Sequence, residues 1–110
     1  MKQYLIDGLR PGDHQKLKAY LDEHHGPAVL GNIYWFKIDP EILTPLQREH
    51  TGCSPHVFAL ELDERFLSCE LLVRIRGRIK CDCMAYATRK QREWIMDTMD
   101  AMLEILGITI

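Results

Sequence analysis

Residues 67–75 and 78–86 are two strand-like runs that meet at Arg76-Gly77-Arg78, and no other stretch restricts the fold as tightly. Both runs alternate apolar and polar side chains, and directly opposed residues of an antiparallel pair point to the same face, so the alternation selects among registers. A two-residue loop would set Ile75 against Arg78 and mix the faces. The odd loop Arg76-Gly77-Arg78 sets Ile75 against Ile79 instead and sorts them, with Gly77 free to take a positive φ. This register predicts an inward face of Cys69, Leu71, Val73, Ile75, Ile79, Cys81, Cys83 and Ala85. It predicts an outward face of Glu70, Leu72, Arg74, Lys80, Asp82, Met84 and Tyr86. Arg74 then opposes Lys80, with Asp82 on the diagonal.

Around this hairpin the chain reads as a possible edge strand at 2–6, then a helix at 11–25 with Pro11 in its first turn and Gly26-Pro27 stopping it. A β-branched and aromatic run at 33–38 predicts a strand. Thr44-Pro45-Leu46-Gln47 has the form of a capping box with proline in the first turn, which predicts a short helix at 45–51 ended by Gly52. Residues 57–62 alternate as a strand, and Asp63-Glu64-Arg65 turns that strand into the hairpin. Thr88-Arg89-Lys90-Gln91 is a second capping box, opening a helix at 89–106 with Ile95, Met99, Met102 and Leu106 on one side. Hairpin-linked strands with helices before and after predict a single α+β domain over 1–110. Its antiparallel sheet has three to five strands, with the helices packed on one face.

A chain of 110 residues buries most of its apolar surface without metal or disulfide staples. No apolar run approaches the roughly 18 residues of a membrane helix, and the first residues lack the anatomy of a signal peptide. The expectation is a cytoplasmic protein, away from membranes, with Cys53, Cys69, Cys81 and Cys83 as reduced thiols. The formal net charge of −2 is unevenly spread, since residues 74–92 hold seven Lys/Arg against one acid. Such asymmetry bears on partners rather than on fold.

Several groups of residues are candidates for function. Arg74, Arg76, Arg78 and Lys80 near the hairpin tip, with Arg89, Lys90 and Arg92 at the start of the last helix, are an expected contact for an anion or an acidic partner. The two groups lie too far apart for one nucleotide, which leaves nucleic acid as an electrostatic alternative without the marks of a recognition module. Leu72, Met84 and Tyr86 on the outward sheet face are the expected apolar part of an interface, with a protein partner or with a second copy. His50, Cys53 and His56 crowd one loop upstream of Cys81-Asp82-Cys83. Zinc prefers such donors, but the spacing matches no standard zinc module, and Cys69, Cys81 and Cys83 read most simply as core residues. The same loop offers Cys53 as a nucleophile with His50 or His56 as its base, although paired carboxylates, a phosphate loop and a dinucleotide fingerprint are all absent. The leading expectation is a non-enzymatic macromolecular interaction module that needs no cofactor. Zinc binding or thiol catalysis at His50, Cys53 and His56 is the alternative.

Overall fold

The computed structural model describes residues 2–75 and 81–110. Within them the chain runs β1 (Gln3–Asp7), α1 (Pro11–His24), β2 (Ile33–Lys37), α2 (Pro45–Glu49), β3 (His56–Leu62), β4 (Phe66–Glu70), β5 (Leu72–Ile75), β6 (Ala85–Tyr86) and α3 (Arg89–Ile105). All strand pairs are antiparallel, in the order β1-β4-β3-β5-β6, with β2 on the other side of β3. The fold is therefore α+β with an antiparallel sheet, as the sequence predicts, and the strand at the chain's start is real, pairing along β4 from Gln3 to Asp7.

β4 and β5 are two halves of the first hairpin arm. β4 pairs β3 with Leu60 opposite Cys69, whereas β5 pairs it with His56 opposite Ile75, so two extra residues enter the arm between the two ladders. Leu71 sits at this bulge and bonds away from β3, its N–H donating to Lys2 C=O and its C=O accepting from Ala87 N–H. A bulge adds bend and twist, and here it hands the arm from β1 on one stretch to β6 on the next.

Alternation assigns the faces correctly along this arm. Leu67, Cys69 and Val73 join Tyr34, Phe36, Phe58 and Leu60 in one buried cluster, which Leu17 and Leu21 of α1 and Ile95, Met99 and Met102 of α3 complete. The helices thus cover one side of the sheet. Burying side chains of this size contributes about 1.5–3 kcal/mol each, so this cluster holds most of the fold's stability.

The second arm differs from expectation. Leu72 pairs with Tyr86 and Val73 with Ala85, not with residues four positions earlier. Arg74 lies opposite Val57 and bonds Glu70 on its own arm; it makes no pair with Asp82. The proposed turn Arg76-Gly77-Arg78, together with Ile79 and Lys80, lies outside the described residues. When the chain is next described, Cys81 to Met84 form a tight turn closed by Met84 N–H donating to Cys81 C=O at 3.0 Å. That turn, not a continuing strand, carries Cys81 and Cys83.

Candidate metal centre

Two tight turns from distant parts of the chain meet beside Ile75. The first begins at α2, whose capping box is complete: Thr44 Oγ1 accepts from Gln47 N–H at 3.2 Å, and Thr44 N–H donates to Gln47 Oε1 at 3.0 Å. The helix ends at Glu49, earlier than expected, and His50 is its cap, its N–H reaching back to Leu46 C=O and Gln47 C=O. A 3-10 turn over Thr51–Cys53 follows, closed by Cys53 N–H donating to His50 C=O at 2.9 Å. One such turn sets the side chains of His50 and Cys53 next to each other. The second is the Cys81–Met84 turn.

His50, Cys53, Cys81 and Cys83 present one nitrogen and three sulfurs, all within 4.8 Å of one another. His50 Nδ1 is 3.1 Å from Cys81 Sγ, and Cys53 Sγ is 3.5 Å from the same sulfur. Zinc bonds of roughly 2.3 Å to sulfur and 2.0 Å to nitrogen place tetrahedral donors roughly 3.5–3.8 Å apart, so small adjustments bring these four around one ion. Cys53 and Cys83 are buried with Ile75 in a cluster of their own, against which Cys81 and Met84 pack. All four cysteines are free.

Electrostatics concentrate on Cys81. Its thiol is held down at about 6 by the backbone N–H of Cys83 first, then by the Cys83 thiol, His50 and Cys53. A thiolate is the form that binds metal or attacks an electrophile. Cys83 is pushed the other way, up to about 12, by burial first and then by its sulfur neighbours. The two thiols, two residues apart, are thus pushed in opposite directions, Cys81 downward by the donors around it and Cys83 upward chiefly by burial.

The residues singled out in the sequence are only partly brought together. His50 and Cys53 reach the centre, but their companions are Cys81 and Cys83; His56 is not among the four. His56 lies on β3 opposite Ile75. It is buried, neither ring nitrogen has a partner among the described residues, and burial followed by the nearby His50 lowers its pKa. Cys69 is the true core cysteine, fully buried in the main cluster and raised to about 12 by burial first, then by Glu70. Cys81 is half-buried. The Cys-x-Cys spacing was the available signal for the missed pair, and a strand reading that ran through it hid the turn.

The remaining candidates sit apart from this centre. Leu72 and Tyr86 are cross-strand neighbours, with Lys2 Nζ 5.5 Å from the centre of the Tyr86 ring, while Met84 packs against the cysteine cluster. Among the basic residues, Arg74 pairs with Glu70 and Arg89 with Glu93, and Arg92 donates to Ala87 C=O. Lys90 is exposed, and Arg76, Arg78 and Lys80 lie outside the described residues. No helix among the described residues is long and apolar enough to cross a membrane.

Three thiols and one imidazole converging from two turns define the class of site, a four-donor Cys3His cluster of the kind that soft divalent metals occupy. No family model matches the chain, and neither a curated protein nor a solved structure matches it.

Proposed function

We propose that this protein binds zinc at a closed centre made by His50, Cys53, Cys81 and Cys83, and that the ion fastens the Cys81–Met84 turn to the turn after α2. The convergence of all four donor atoms within 4.8 Å carries this reading. Sulfur-rich sites of this kind select zinc over the hard cations, which prefer oxygen. Four protein donors fill a tetrahedron, so no position is left for a water or a substrate, and the role is structural. His50 Nδ1 faces Cys81 and is the ligating nitrogen, which leaves the proton on Nε2.

A thiol-catalysis reading of the same residues makes Cys81, not Cys53, the nucleophile, with His50 beside it as base. A nucleophile needs one thiolate and open space in front of it. Two further cysteines crowding Cys81 support a metal instead.

Elemental analysis of untagged protein reconstituted with zinc should give about one ion per chain. Cobalt in its place should give sulfur-to-metal charge-transfer bands and the strong visible bands of tetrahedral geometry. Cys83→Ser should lose both sets of bands, whereas Cys69→Ala, altered in the main core, should keep them. A protein that takes up no zinc and whose Cys81 reacts quickly with thiol reagents would overturn the metal reading in favour of the nucleophile.

A further inference from the structure

Two buried amides connect the cysteine turn to the starts of two helices. Gln47 and Gln91 are 2% and 0% exposed, and each is the last residue of a capping box, at the third position of its helix. Gln47 Nε2 donates to Cys83 C=O at 3.1 Å, across 36 residues of sequence. Gln47 Oε1 accepts from Thr44 N–H and also from Gln91 Nε2 at 2.9 Å. Gln91 Nε2 donates in addition to Ile42 C=O at 3.0 Å, and Gln91 Oε1 accepts from Thr88 N–H at 3.0 Å. Neither amide can be reversed, because a flip would turn each NH2 toward a backbone N–H and aim the Gln47 oxygen at a carbonyl. The result is a one-way chain of hydrogen bonds, Thr88 to Gln91 to Gln47 to Cys83.

We propose that Gln47, itself held by Gln91, is a positioning residue for the metal centre; the proposal rests on the zinc reading above. The Cys83 C=O accepts from Gln47. Fixing that carbonyl sets the rotation of the turn, and with it the direction in which the two sulfurs leave the backbone. Without Gln47, the bond closing the turn, Met84 N–H to Cys81 C=O, does not restrain the Cys83 carbonyl at all. Groups that orient ligands in this way are typically worth roughly 10–100-fold in metal affinity. The coupling is also reciprocal, so zinc tightens the amide chain as the chain tightens zinc. Its far end is the capping box of α3, and the start of that helix therefore senses whether the metal is bound.

The test compares Gln47→Met with Thr44→Ala by zinc competition against a chromophoric chelator. Both variants damage the α2 cap, but only the first removes the bond to Cys83. Gln47→Met should bind zinc roughly 10–100-fold more weakly and shift the visible bands of the cobalt form. Thr44→Ala should stay close to the natural protein on both readouts. Hydrogen exchange at the Thr88 amide should slow when zinc is added to the natural protein, and should not respond in Gln47→Met. If Gln47→Met does not fold, Gln91→Met loosens Gln47 from a distance and should weaken zinc in the same direction. Equal losses in Gln47→Met and Thr44→Ala would reduce Gln47 to a helix cap, and undiminished affinity in the glutamine variants would overturn the chain of positioning. Failure of the natural protein to bind zinc at all is a different result, and it removes the metal reading itself.

Discussion

His25 follows the end of α1 with its ring flat on that of Phe36, the centroids 3.8 Å apart and the planes 12° from parallel. Burial first, and the neighbouring His24 second, hold its pKa below the ordinary histidine value. A base whose protonation the fold disfavours contributes stability that is whole above the unfolded pKa of about 6.5. That contribution is lost as the pH falls below this value toward the lowered folded one. Replacing the imidazole with a ring that stacks but cannot take a proton removes the loss. The denaturant midpoint of the natural protein should therefore fall more steeply than that of His25→Phe between about pH 7.5 and about pH 5.5. Parallel slopes would place the acid sensitivity elsewhere. The four residues of the candidate centre were half legible at this scale. His50 and Cys53 stand three apart in a loop without apolar periodicity, which leaves chemistry as their most evident purpose. Cys81 and Cys83 obey the alternation of a strand, so the sequence offers a core role that competes with the metal. The turn that lifts them out of the ladder is what brings both sulfurs beside His50 and Cys53.

The helix starts were the most legible elements, because a capping box is written within four residues. Both predicted boxes are present with reciprocal hydrogen bonds. Thr88 Oγ1 accepts from Gln91 N–H at 3.2 Å at the start of a 17-residue helix that supplies much of the core. Thr88→Ala should cost about 1 kcal/mol by thermal or denaturant unfolding, within the ~0.5–2 kcal/mol spread of such caps. Glu93→Ala removes the partner of Arg89, but those side chains are 61% and 85% exposed. That change should move stability by less than about 0.5 kcal/mol, since exposed pairs lose most of their attraction to solvent. A larger effect of Glu93→Ala than of Thr88→Ala would contradict this ranking. Strand register was not legible, for a geometric reason. Side chains alternate with a period of two, so a slip of four residues returns every residue to its original face. Tyr86 opposite Leu72 satisfies the pattern as well as Asp82 would. The faces of the first arm could therefore be read from the sequence, while the pairing, the turn inside the hairpin and the faces of the second arm, where Ala85 is exposed and Met84 packs against the cysteine cluster, could not.

At the scale of the molecule the described residues form two buried clusters of unequal size. The larger joins both long helices to the sheet and contains none of the four residues of the candidate centre; the smaller is Cys53, Ile75 and Cys83, with Cys81 and Met84 against it. Among the described residues only a few side chains fill the smaller one, and under the zinc proposal an ion there would add a cross-link between its two turns. An ion present at ~1,000 times its dissociation constant adds about 4 kcal/mol to stability, less whatever the cysteines of the unfolded chain bind. Chelation should therefore lower the thermal midpoint without unfolding the protein at room temperature. Far-ultraviolet circular dichroism should change little, because the elements around the larger cluster do not depend on the ion. Hydrogen exchange should resolve the effect by region, with protection lost around residues 44–55 and 81–88 and kept in β3, β4 and α3 beyond its first turn. Complete unfolding on chelation would mean that the small cluster nucleates the large one, against the separation of the two. An unchanged midpoint would mean that the ion contributes no folding free energy, and a structural role for the centre would fail with it.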